Sequence, residues 1–128
     1  MQEHHLFEYA VVRVVPRVER EEFINVGVIL LCAKQKFLSC LLELNEERLK
    51  SLCPSADIEE VSKHMQSFDR ICKGGKVGGS IGALPLAERF RWLTASRSTV
   101  VQCSQVHPGL CDDPDATLKR LFEQLVKT

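Results

Sequence analysis

Between Tyr9 and Leu31 two apolar runs flank a charged turn, YAVVRVVPRVEREEFINVGVILL. No other feature constrains the fold as much, because runs this rich in β-branched residues read as buried strands. Residues 7–15 form the first, with Phe7, Tyr9, Val11, Arg13 and Val15 on one face. Pro16 has no N–H to give a ladder and ends it. Residues 24–33 are apolar on both faces, which places that strand inside a sheet, with Asn25, Gly27, Ile29 and Leu31 sharing a face. A short polar turn, AKQK, leads to a third run at 37–42. The pattern predicts a sequential antiparallel meander over 7–15, 24–33 and 36–43.

Helical signals follow. Asn45 suits the cap of a short helix ending before Pro54. Asp57 with Glu60 resembles a capping box, and Ile58, Val61, Met65, Phe68 and Ile71 then recur at spacings of three and four. Gly74 and Gly75 stop that helix. Five of the seven glycines lie between 74 and 82, which predicts a flexible loop. Pro85 fits the first turn of another helix that buries Leu86, Phe90 and Leu93. Residues 98–105 read as a fourth strand and His107-Pro108-Gly109 as a turn. Asp113-Pro114 opens a last helix with Leu118, Leu121, Phe122 and Leu125 at core spacing.

At 128 residues the chain is a single domain over 1–128, long enough to bury roughly two-thirds of its unfolded surface. Seventeen basic residues balance seventeen acidic ones, which argues against a general nucleic-acid or membrane-surface binder. No run approaches the ~18 apolar residues of a membrane span. The start, MQEHHLFEY, shows no signal peptide, so a cytoplasmic location is expected. Cys32, Cys40, Cys53, Cys72, Cys103 and Cys111 form no C-x-x-C pair and lie in no zinc-ligand spacing. They read as thiols used as small hydrophobes.

Two constellations carry chemistry. Arg13, Glu22 and Asn25 fall where the first two strands meet their turn. They either satisfy one another or hold a planar anion, and Gly27 leaves room for something to approach. The second is a charge asymmetry. Arg70, Lys73, Lys76, Arg89, Arg91 and Arg97 are opposed between 70 and 101 only by Glu88, a local charge of plus five against minus five elsewhere. A glycine-rich loop in that segment suits phosphate or an acidic partner. GGKVGGSIG is neither a P-loop nor a dinucleotide fingerprint. Trp92, beside Arg89 and Arg91, suits core packing, an interface or a stacked base. Ser98, His107, Asp112 and Asp113 lack the pattern of a nucleophile elbow, and the aspartates read as a helix N-terminus. No catalytic, metal or cofactor set emerges.

These segments resemble an uncharacterised bacterial family, domain of unknown function 3037. The likeness lies in Tyr9-Ala10-Val11-Val12-Arg13, in Pro16 and in Glu22-Phe23-Ile24-Asn25-Val26-Gly27-Val28. It resumes at Glu88-Arg89-Phe90-Arg91-Trp92-Leu93, Ser98 and His107-Pro108-Gly109, and continues to the Leu118-to-Val126 helix. Cys32, Cys40 and Cys72 stand outside it. The resemblance implies no activity. It implies a partner role, with HipA-like kinase domains as the partner.

The expected architecture is α+β, a mostly antiparallel sheet of about four strands covered on one face by helices. The leading functional expectation is a non-catalytic protein-interaction or regulatory module, working on a protein partner or as a homodimer. The alternative is a small enzyme or an anion or nucleic-acid binder using Arg13, Glu22, Asn25 and the basic segment 70–101, with His107 among the candidate contacts. A cleft joining Arg13, Asn25 and Arg97 favours a ligand; an apolar surface patch favours a partner.

Overall fold

A computed structural model describes residues 4–97 and 99–127. Strands β1 (His5–Val14), β2 (Ile24–Cys32) and β3 (Phe37–Leu42) form the expected meander, with β2 between β1 and β3. Helices α1 (Glu46–Leu52) and α2 (Ile58–Lys73) follow, then a short α3 (Gly79–Gly82) and α4 (Leu86–Thr94). Two further strands, β4 (Val101–Cys103) and β5 (His107–Cys111), precede α5 (Pro114–Phe122), which runs on as a π-helical turn to Lys127.

The caps legible in sequence are made. Asn45 accepts from the Arg48 N–H at 3.0 Å and Asp57 from the Glu60 N–H at 3.1 Å. Asp113 accepts from the Asp115 and Ala116 amides at the start of α5. Each cap satisfies an amide that has no partner within its helix.

β1 is interior as well as β2. Its second edge is shared by β4, against Val12–Val14, and β5, against His5–Tyr9. Ser104 bridges the gap between them: its N–H donates to Val11 O, and its buried hydroxyl accepts from Val11 N, both at 2.8 Å. A side chain thus completes the ladder where the backbone turns away, which shortens the strand expected over 98–105; Ser98 itself lies outside the described residues. His107-Pro108-Gly109 is correspondingly strand, not turn. Pro108 pairs Glu8 on an edge strand, where a missing N–H is tolerated. A Cβ on Gly109 would lie 2.5 Å from the Phe7 ring, so that glycine makes room for the aromatic.

Helices cover both faces of the sheet, not one. Ala10, Val12, Val14, Ile29 and Leu31 pack with Leu49, Val61, Met65, Phe68, Phe90 and Leu93 of α1, α2 and α4. On the other face Phe7, Val28, Leu30 and Cys32 pack with Leu118, Leu121 and Val126 of the C-terminal helix. That second core explains why β2 is apolar on both faces.

A β-bulge lies between Val12 and Arg13. Val12 opposes Gly27 and Arg13 opposes Asn25, which leaves Val26 as the extra residue. Ile24 and Val26 therefore join the same cluster as Ile29 and Leu31. Asn25 turns to the other face and does not share one with Gly27 as strict alternation predicts. Gly27 leaves no room for a ligand, because a Cβ there would lie 2.4 Å from Leu41 O and from Leu42 Cδ2. The glycine lets β3 approach β2. Gly27→Ala should destabilise the fold by about 1–3 kcal/mol through overpacking. Urea denaturation measures this, and a midpoint equal to that of the unsubstituted protein would show that β3 yields freely.

Candidate functional site

Arg13 is the last residue but one of β1. The bulge beside it and the turn beyond bring Phe23 under its side chain, with Arg13 Cζ 4.1 Å from the Phe23 ring centroid. Across the ladder from Arg13 stands Gln102 of β4. The loop after α4 carries Arg97, whose Cζ lies 3.7 Å from the Trp92 ring centroid and whose Nη2 donates to Trp92 O. Both arginines line one cleft of 550 Å³, together with Glu21, Phe23, Ser96, Gln102, Val15 and Val18, while Trp92 lies outside it.

Each guanidinium thus rests on an aromatic face, an attraction that orients the group without neutralising it. Neither Arg13 nor Arg97 makes an ion pair among the described residues. The Nε of Arg13 is buried without an acceptor. The field of both arginines is felt at Cys103, where burial pushes the thiol up to about 12 against the opposing pull of Arg97 and Arg13. That thiol stays neutral and donates to Leu93 O. The cleft is therefore a cationic concavity with one carboxylate, Glu21, on its wall.

The network expected among Arg13, Glu22 and Asn25 does not form. Glu22 accepts from Arg20 Nε at 2.5 Å on the exposed turn. Asn25 donates from Nδ2 to Leu125 O at 3.1 Å, and its Oδ1 is buried without a partner. It lines a different cavity, of 490 Å³, with Glu43, Arg48 and Lys127. The bulge separates them, because it sends Asn25 toward the C-terminal helix while Arg13 stays beside β4.

The basic segment also divides. Arg89 is 9% exposed; its Nη1 donates to Leu84 O at 2.6 Å, and its guanidinium sits where a Cβ on Gly74 would be, 2.8 Å from Cζ. It fastens the glycine-rich segment and does not face a partner. That segment is folded into two short helical turns and closed by Gly75 N donating to Gly82 O at 2.9 Å. Lys73 pairs with Asp69 at 2.8 Å. Lys76 and Arg91 are exposed, and Trp92 is 37% exposed. His107, exposed in β5, lies with its ring 5.3 Å from that of Tyr9. It is remote in the sheet from Arg13, since it opposes Tyr9 while Gln102 opposes Arg13.

Sequence reasoning missed Phe23 and Gln102. Phe23 had a signal, as the lone aromatic between the charged turn and β2. Gln102 had none, because its place depends on pairing across about ninety residues of chain. The six cysteines are free thiols, four of them buried. The Cys40 thiol is held up by its hydrogen bond with Cys72 first, then by burial and Asp69. Among the described residues no group of three or more His, Cys, Asp or Glu side chains is placed to hold a metal ion, and no helix is long and apolar enough to cross a membrane.

Fold and site define a class: a small α+β fold, an open five-stranded antiparallel sheet between helices, with two arginines at one cleft that make no ion pair among the described residues. Over residues 9–126 the chain matches the family described as protein of unknown function (DUF3037), and it belongs to that family. No curated protein and no solved structure matches it.

Two substitutions separate anchoring from presenting arginines. Arg89→Ala should cost about 2–4 kcal/mol, since it empties a buried site and orphans Leu84 O. Arg13→Ala should cost less, about 1–2 kcal/mol, the scale of a half-buried cation–π contact. Chemical denaturation of both checks the order, and a larger loss for Arg13 would make it structural.

Proposed function

We propose that this domain is a non-catalytic binding module that holds an acidic group of a protein partner in the cleft between Arg13 and Arg97. One observation carries the reading: two arginines, each with its guanidinium over an aromatic ring and neither ion-paired among the described residues, line the same cleft. Two half-buried arginines lining a common space suit a shared anion.

A protein partner is supported by a second surface. Leu6 of β1 and Leu110 of β5 are direct cross-strand neighbours, 61% and 67% exposed. Side by side they add apolar area that a protein would cover. The partner favoured by the family resemblance is a HipA-like kinase domain, and the free thiols suit the bacterial cytoplasm. In this reading the domain contributes recognition, and any chemistry belongs to the partner.

Calorimetric titration with such a kinase domain should give a complex whose affinity falls as salt rises. Arg13→Gln should weaken it about tenfold, the scale of one charge-assisted hydrogen bond. A complex indifferent to both would remove the cleft from the interface. Light scattering of the domain alone should show a monomer; a stable dimer would assign the Leu6–Leu110 surface to a second copy.

A further inference from the structure

We infer that the acidic group taken by the Arg13–Arg97 cleft is a phosphate monoester on a protein side chain, bound as its dianion. The inference rests on the reading of the cleft as an anion site and names the ligand class. A carboxylate is satisfied by one guanidinium, which matches its two oxygens. Here two guanidiniums arrive from different elements, β1 and the loop after α4, and the polar Gln102 and Ser96 line the same wall. Two cationic forks with further donors fit a group of three terminal oxygens and about two negative charges. With Glu21 on the wall, a singly charged ligand would meet a smaller net attraction.

The source follows from the aromatics. A nucleotide would call for a free ring on which to stack its base. The Phe23 and Trp92 rings each already carry a guanidinium over one face. Val15 and Val18 on the rim offer apolar contact of the kind a peptide flank uses.

The pH dependence of such a ligand is distinctive. The second ionisation of a phosphoserine lies near pH ~6. Between pH 5 and 7.5 its dianion fraction rises about tenfold, whereas an aspartate is already ionised throughout. The protein's own groups at the cleft do not mimic this rise. The arginines stay charged, and the Cys103 thiol, pushed up to about 12, stays neutral. Glu21 on the cleft wall and His64, which shares a cavity with Arg97 and lies 3.8 Å from Glu60, are the other titratable groups nearby. Positive charge gained by a protein group as pH falls favours an anion, the opposite direction.

Trp92 is the only tryptophan and lies under Arg97, outside the cleft itself, so its fluorescence reports a change at the Arg97 guanidinium. The probes are one short peptide carrying phosphoserine, the same peptide with aspartate at that position, and a 5′-mononucleotide. Phosphopeptide should bind tightest and gain about tenfold in affinity from pH 5 to 7.5, while the aspartyl peptide changes little. Arg13→Gln and Arg97→Gln should each weaken the phosphopeptide about tenfold or more and flatten its pH profile. Arg97→Gln lies on an exposed loop and keeps the test open if Arg13→Gln does not fold. Equal, pH-independent binding of the two peptides would overturn the phosphate assignment and leave the anion cleft standing. Tighter binding of the mononucleotide would overturn the protein source. No response of Trp92 or of calorimetry to any probe would remove the phosphate assignment and the cleft reading together.

Discussion

The fold depends on filling both edges and both faces of β1. On one edge β2 supplies a continuous partner, broken only by the bulge beside Arg13; on the other, β4, the Ser104 hydroxyl and β5 take turns. A buried amide left without a partner costs about 1–3 kcal/mol, so the handover at Val11 has to be made by something polar. Ser104 makes it, and the loop after α4 is then fixed beside the end of β1. That brings Arg97 to Arg13. The candidate site is therefore a consequence of how the sheet completes its central strand.

The meander, the three capped helices and most of the core on the α2 face were legible in the sequence, because each rests on local periodicity or a cap within a few residues. The second core was half legible. Apolarity on both faces of β2 demands cover on both, yet one-sided cover was expected, since Leu118, Leu121 and Leu125 do not reveal which face their helix meets. β5 was hidden by Pro108-Gly109, a turn signature that an edge strand tolerates when the glycine faces the Phe7 ring.

At the site the outcome was similar. Arg13 stood out because a guanidinium among valines needs an explanation. Its expected partners, Glu22 and Asn25, are near in sequence but are separated by a bulge that adds one residue and reverses Asn25. Its actual neighbours, Phe23 beneath it and Gln102 across the ladder, include one that only long-range pairing supplies. Arg89 shows the converse. It belongs to the basic segment by composition, yet its burial against Gly74 and Leu84 O makes it a fastener of the glycine-rich segment. A charge sum along a segment counted both kinds alike, and only the structure separates the arginine that anchors from those that present.

The central claim is that Arg13 and Arg97 act as a pair on one anion. Nuclear magnetic resonance of the arginine Nε–H groups reads this directly, with Arg13 and Arg97 assigned by substitution and a phosphoserine peptide added stepwise. The account predicts that both resonances move together with one saturating dissociation constant, while that of the buried, internally bonded Arg89 stays in place. Independent, non-saturating drifts of Arg13 and Arg97, equal to those of the exposed Arg70 and Arg91, would contradict it.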